Sequence, residues 1–129
     1  MAKMEEVCPT LSLVHIMGKR WTIPIMEAFG SQLEEVQFNT LQSELVDITP
    51  KNLSSSLKEL CAAEMLKKAE VVKKGAIHTS YALTKKGVAF QKFIKNGKEL
   101  GICIYGVDSS CASRKCIDCY AAKLHHHSQ

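Results

Sequence analysis

Four cysteines crowd the C-terminal end of the chain. Cys103, Cys111, Cys116 and Cys119 follow one another as C-x₇-C-x₄-C-x₂-C. Thiolates are soft ligands, and four of them this close suit a metal or redox centre better than a packed core. Zinc accepts a tetrahedral set of four cysteines, and a cubane iron–sulfur cluster takes the same number. Cys116 and Cys119 stand three residues apart, so both could face one metal from a turn or one helical face. Cys111 and Cys103 would complete the set. A dithiol–disulfide switch is a third chemistry, because Arg114 and Lys115 beside Cys116 favour its thiolate. The spacing leaves zinc, cluster and thiol switch open, against the plainer reading of unligated thiols.

Two further cysteines stand apart. Cys61 falls on the apolar side of a helical pattern and reads as a small core residue. Cys8 immediately precedes Pro9 and reads either as a reactive thiol or as a plain interface residue. His15 and His78 have no ligand partner nearby in sequence and read as structural or surface side chains. His125, His126 and His127 form the only biased patch, either native or left from a purification tag.

The chemistry of the cysteines depends on compartment. The first residues, Met1-Ala2-Lys3-Met4-Glu5-Glu6, lack a basic-then-apolar signal pattern. No apolar run approaches the length that crosses a bilayer. A cytoplasmic location is therefore expected, with no membrane partner. There cysteines stay reduced, which favours metal or redox roles over a disulfide framework. A chain of 129 residues suits one domain with little left over. The net charge of +4 is too modest to argue for nucleic acid alone. The placement of the lysines argues it better.

The elements that must carry these groups are legible from periodicity. Pro9 suits a first helical turn, and Leu11, Val14 and Ile16 give an apolar stripe that Gly18 ends. A second helix runs from about Trp21 to Phe29, with Pro24 tolerated in its first turn. Gln32 to Val36 reads as a polar connection. Phe38, Leu41 and Leu45 are spaced for a short third helix, with Asn39 as its cap. Thr49 and Pro50 are a good cap and first residue for a fourth helix reaching about Ala63. Leu53, Leu57, Leu60 and Cys61 line its buried face. Met65 to Val72 and Ile77 to Leu83 read as strands joined by a turn at Lys73-Lys74-Gly75-Ala76, where Gly75 can take positive φ. Thr84 then caps a fifth helix carrying Val88, Phe90, Phe93 and Ile94, continuing toward Tyr105.

Helix, turn, helix and two-stranded hairpin is the order of a winged helix–turn–helix. The fourth helix would be the reader. Its outer face opens with Lys51, Asn52, Ser54, Ser55 and Lys58, near the N-terminus where such helices enter the major groove. Lys and Asn can meet base edges, and Ser can reach bases or phosphates. Lys73 and Lys74 at the wing tip, with Lys67 and Lys68 on the first strand, would contact phosphate without reading sequence. The plainer alternative is a helical bundle whose lysines only face water. A capped polar helix, a short helix before it and a lysine-tipped hairpin together favour DNA.

These residues resemble the HxlR-type transcriptional regulators. Met17-Gly18-Lys19-Arg20-Trp21-Thr22-Ile23-Pro24-Ile25 is similar to the signature that opens that family. Phe38-Asn39-Thr40-Leu41 matches its first helix–turn–helix helix, and Ile48 to Ser54 with Leu57-Lys58-Glu59-Leu60 its recognition helix. Tyr81-Ala82-Leu83-Thr84-Lys85-Lys86-Gly87 matches the strand-to-helix junction after the wing. The resemblance runs from about Cys8 to Gly101. It implies a homodimer built through the N- and C-terminal helices. It also implies a role for Cys8, since several members respond to oxidants or electrophiles through a cysteine just before a proline. Two departures stand out: the usual glycine after the recognition helix is replaced around Glu64-Met65-Leu66, and a tryptophan near the end of the last helix is missing.

The expected molecule is mainly α with a small β-hairpin wing, a homodimeric winged helix–turn–helix. Residues 1–102 would form the DNA-binding and dimerisation domain and residues 103–129 a cysteine-rich tail. The function expected is a sequence-specific transcriptional regulator of a double-stranded DNA operator. Its affinity would be set by a zinc or iron–sulfur cofactor or by thiol redox state. Two alternatives are a small redox protein on a helical scaffold and a non-sensing DNA binder with a structural zinc clasp. No Ser–His–Asp pattern, glycine-rich phosphate loop or carboxylate pair suggests an enzyme.

Overall fold

The structure is a computed structural model, and it describes residues 8–30 and 35–106. Among the described residues, five helices and a three-stranded antiparallel sheet follow in the order α1 (Pro9–Met17), α2 (Thr22–Ala28), β1 (Val36–Gln37), α3 (Phe38–Glu44), α4 (Pro50–Ala62), β2 (Leu66–Lys73), β3 (Ala76–Leu83) and α5 (Lys85–Tyr105). The strand order is β1-β3-β2. The hairpin pairs from Leu66↔Leu83 out to Lys73↔Ala76, and β1 adds Val36↔Tyr81 and Gln37↔Ser80 on the other edge.

One apolar core holds this arrangement. Ile25 and Met26 of α2, Leu41 of α3, Leu53, Leu57 and Leu60 of α4, Leu66 and Leu83 of the hairpin, and Phe90 and Ile94 of α5 are all buried in it. Each fully buried Leu or Ile contributes about 1.5–3 kcal/mol. The i, i+4, i+7 spacing of the α4 leucines leaves its opposite face to solvent.

Polar ties fix the angles between helices. Thr22 Oγ1 donates to the Ile16 carbonyl at 2.7 Å, joining α2 to the end of α1. Gln91 of α5 donates to the carbonyls of Met26 and Gly30 at 2.9 and 3.0 Å, satisfying acceptors at the end of α2. Lys98 and Glu27 add a 3.8 Å ion pair between the same helices. In the connection from α3 to α4, Gln42 donates to the Ile48 carbonyl at 2.6 Å and Asp47 takes φ +73°. Asp tolerates that left-handed conformation better than most residues.

Several boundaries follow the local chemistry. The Thr49 hydroxyl accepts from the Asn52 N–H at 3.1 Å and caps α4. The Thr84 hydroxyl accepts from the Gly87 N–H at 3.0 Å and caps α5. Three details differ from the sequence reading. Asn39 lies inside α3, whose flanking cap residue is Gln37. Val36 and Gln37 form a strand, too short to show alternation. Leu11 and Val14 are exposed on α1, and Phe93 is exposed on α5.

Position 64 accounts for the glycine that the chain lacks after α4. Glu64 takes φ +64°, the conformation that favours glycine there. The Met65 N–H donates to the Leu60 carbonyl and the Glu64 N–H to that of Cys61, both at 3.0 Å. These two bonds close α4 in a Schellman arrangement.

Candidate nucleic-acid interface

The reader surface begins with the leucines of α4. Because Leu53, Leu57 and Leu60 are buried, Lys51, Asn52, Ser54, Ser55 and Lys58 are turned outward, and all five are exposed. Capping at Thr49 uses the Asn52 backbone and leaves its amide side chain outside that bond. The first turn of α4 holds no acidic residue.

The wing carries the remaining lysines. Lys73 ends β2, and Lys74 and Gly75 form the two-residue turn at φ +52° and +77°. Positive φ at both positions is the turn that matches the natural twist of a hairpin. It presents Lys73 and Lys74 at the tip, both exposed. Lys67 and Lys68 are exposed nearer the base. Lys68 lies 3.7 Å from Glu70, with both side chains more than half exposed, an ion pair that water and counterions weaken.

Where α3, α4 and the hairpin meet, a cleft of about 350 Å³ opens. Ser54 and Lys68 line it together with Asn39, His78 and Thr79. Asn39 reads from sequence as a helix cap and His78 as a structural or surface side chain, and neither they nor Thr79 is among the residues expected to meet DNA. They lie on α3 and β3, and no local spacing joins them to α4.

Under α4, burial raises the Cys61 thiol above its ordinary range, and the nearby Lys68 charge offsets part of that rise. Burial also raises Tyr81, with smaller contributions from Cys61 and Glu70. Cys61 is half-buried against the core, as a packing residue would be. Between the end of α4 and the start of α5, Lys86 bonds to Glu64 and holds that carboxyl below the usual range.

The sulfur candidates are divided. Cys8 is half-buried and flanks the start of α1, its carbonyl accepting from Ser12 N–H and Oγ at 3.1 and 3.2 Å. Cys103 is exposed and belongs to the last turns of α5. Cys111, Cys116 and Cys119 lie outside the described residues. Among the described residues no group of three or more His, Cys, Asp or Glu side chains gathers as a metal site.

A lysine-tipped hairpin beside a polar, capped helix defines a winged helix–turn–helix protein of the DNA-binding class. The chain belongs to the HxlR-like helix-turn-helix family, whose model matches residues 16–104. That family consists of transcriptional regulators, not enzymes. No curated protein matches the sequence significantly. Among solved structures, the reduced form of the transcriptional regulator YodB from B. subtilis is similar at TM-score 0.69 and 24% identity, over 78% of this chain and 98% of that one. Quinone-bound YodB is similar at TM-score 0.60 and 27% identity, over 73% and 97%. A possible HxlR family transcriptional factor from Thermoplasma volcanium is similar at TM-score 0.56 and 26% identity, over 67% and 75%. No described helix is long and apolar enough to cross a membrane.

Proposed function

We propose that this regulator binds a double-stranded operator as a homodimer and that cysteine chemistry sets its affinity. The observation that carries the DNA reading is the solvent face of α4. Lys51, Asn52, Ser54, Ser55 and Lys58 form a polar reader beside a wing tipped by Lys73 and Lys74. The helix supplies base contacts and the wing supplies phosphate contacts.

Support for the dimer comes from an unpartnered apolar surface. Leu11 and Val14 on α1 and Phe93, Leu100, Ile104 and Tyr105 on α5 are exposed, Ile104 at 63% and Tyr105 at 79%. Side chains of this kind gain about 25 cal/mol per Å² on burial. Pairing two copies through α1 and α5 would set two α4 helices for half-sites about one duplex turn apart.

Support for sulfur control comes from where the thiols lie relative to that surface. Cys8 precedes α1, and Cys103 stands one residue before Ile104 on α5. Cys103 is exposed and so open to join Cys111, Cys116 and Cys119 around zinc or an iron–sulfur cluster. The similar protein YodB has been solved reduced and with a quinone bound. A ligand or oxidant acting on either thiol would change the pairing of α1 and α5 and so the separation of the readers.

One experiment tests the reading. Protein prepared without oxygen is analysed for zinc, iron and sulfide. Its affinity for a duplex selected from a random pool is then measured before and after oxidant, and for Cys8→Ser and Cys119→Ser. The expected result is a loss or gain of about 5- to 150-fold on oxidation or cofactor removal, the range of ordinary allosteric coupling. Affinity unchanged in every state, with cofactor present in one, leaves a DNA binder with a structural clasp. Absence of duplex selection refutes the DNA reading.

A further inference from the structure

The cleft between α3, α4 and the wing is polar, and no Asp or Glu lines it. Donors from four elements line it: Asn39 from α3, Ser54 from α4, Lys68 from β2, and His78 and Thr79 from β3. The opening exists because β1 is only two residues long. It covers β3 at Tyr81 and Ser80 and leaves Thr79, His78 and Ile77 on an uncovered edge. Two hydroxyls, an amide, an imidazole and an ammonium converging without a carboxylate suit a small oxyanion.

The position of the cleft says which oxyanion. With α4 in a major groove and the tip of the hairpin on the neighbouring backbone, the strand between them must cross the angle where α4 meets the sheet. The cleft occupies that angle. We propose that it seats a single backbone phosphate of bound duplex DNA. Lys68 supplies the charge, His78 a ring N–H, and Asn39, Ser54 and Thr79 neutral hydrogen bonds. The inference rests on the DNA-binding reading above and deepens it. The chain would grip one phosphate between reader and wing, separately from the contacts of Lys73 and Lys74 at the tip. Lys68 can turn from Glu70 to the phosphate because their exposed pair is weak.

The test uses the full chain and a duplex that it selects from a random pool. Each backbone phosphate is replaced in turn by a neutral methylphosphonate, and affinity is measured for wild type, Lys68→Ala/His78→Ala, Lys68→Arg and Lys73→Ala/Lys74→Ala. Losing a charge-assisted bond costs roughly tenfold or more. Wild type should therefore show a loss of that size at one phosphate per half-site facing the cleft. In Lys68→Ala/His78→Ala that penalty should vanish, and the salt slope should fall by roughly 0.9 for each charge removed. Penalties belonging to the wing tip should persist, and Lys68→Arg should keep the cleft penalty. Melting temperatures matching wild type check that the variants are folded.

The proposal is overturned if the Lys68→Ala/His78→Ala variant binds like wild type. It is equally overturned if that variant keeps every methylphosphonate penalty, since the phosphate then lies elsewhere while DNA binding stands. A wild-type protein that selects no duplex overturns the DNA reading itself, and this proposal with it.

Discussion

Replacing Gly87 by alanine tests how the wing is joined to the last helix. Gly87 lies in the first turn of α5, and a Cβ built there would sit 2.0 Å from the Met65 carbonyl oxygen and 3.2 Å from Leu83 Cδ2. An ordinary carbon–oxygen contact is about 3.3 Å, so the carbonyl would have to retreat by about 1 Å. It has little freedom to do so, because it accepts from the Thr84 N–H at 3.1 Å and the Thr84 hydroxyl at 3.2 Å. Overpacking costs about 1–3 kcal/mol, and weakening two hydrogen bonds adds about 0.5–1.5 kcal/mol each. Alanine recovers up to about 1 kcal/mol of helix propensity. The net expectation is a destabilisation of about 2–4 kcal/mol, a drop of roughly 10 °C in Tm for a domain of this size. The assay is urea unfolding followed by circular dichroism at fixed protein concentration. Gly101→Ala on the same helix is the control, since nothing lies within 4 Å of the added Cβ there. It should stabilise by about 0.5–1 kcal/mol. A Gly87→Ala protein as stable as wild type, or stabilised like the control, would refute the packing argument.

The interface makes further predictions. Lys51→Ala and Asn52→Ala should each reduce discrimination between operator and random duplex by about 1–3 kcal/mol if they meet base edges; equal operator affinity across both variants and wild type removes α4 as the reader. Lys73→Ala/Lys74→Ala should weaken specific and random binding alike and lower the salt slope by about one per contact, so an unchanged slope takes the wing off the DNA. Lys74→Gly separates the tip's strain from its charge. Lys74 sits at φ +52°, which costs an ordinary residue about 1–2 kcal/mol, so the glycine variant should melt higher yet bind DNA more weakly, and a lower Tm contradicts that account. Because burial raises the Cys61 thiol, its thiolate is scarcer than an exposed thiol's at neutral pH, and in reduced, cofactor-free protein alkylation read by mass spectrometry should be slower at Cys61 than at exposed Cys103. The same rise has a sign for stability. Above the unfolded thiol's value near 9.0 the unfolded chain sheds a proton that the folded one keeps, so stability should fall with alkaline pH, less so in Cys61→Ala.

Local chemistry determined much of what this chain shows. Thr49-Pro50 and Thr84 announced the starts of α4 and α5 because a capping hydroxyl acts within three residues. Leu53, Leu57 and Leu60 announced which side of α4 is buried, and thereby which side carries Lys51, Asn52, Ser54, Ser55 and Lys58. Gly75 announced the wing turn. Each of these signals acts over less than two helical turns, so it survives in the linear order of residues. Val36 and Gln37 carried no such signal, since a two-residue strand exists only where β3 offers it partners.

What the tertiary structure decided lies in encounters between distant segments. Val14 and Phe93 sit in apolar patterns like any core residue, yet they remain exposed on α1 and α5. Periodicity says that a face is apolar, not what covers it. The left-handed Glu64 follows from the two hydrogen bonds that close α4 before β2 begins. The close approach of Gly87 to Met65 and the cleft joining Asn39, Ser54, Lys68, His78 and Thr79 depend on how the sheet docks against α3, α4 and α5. Those contacts bridge residues up to forty positions apart in sequence, and only the packing of the core brings them together.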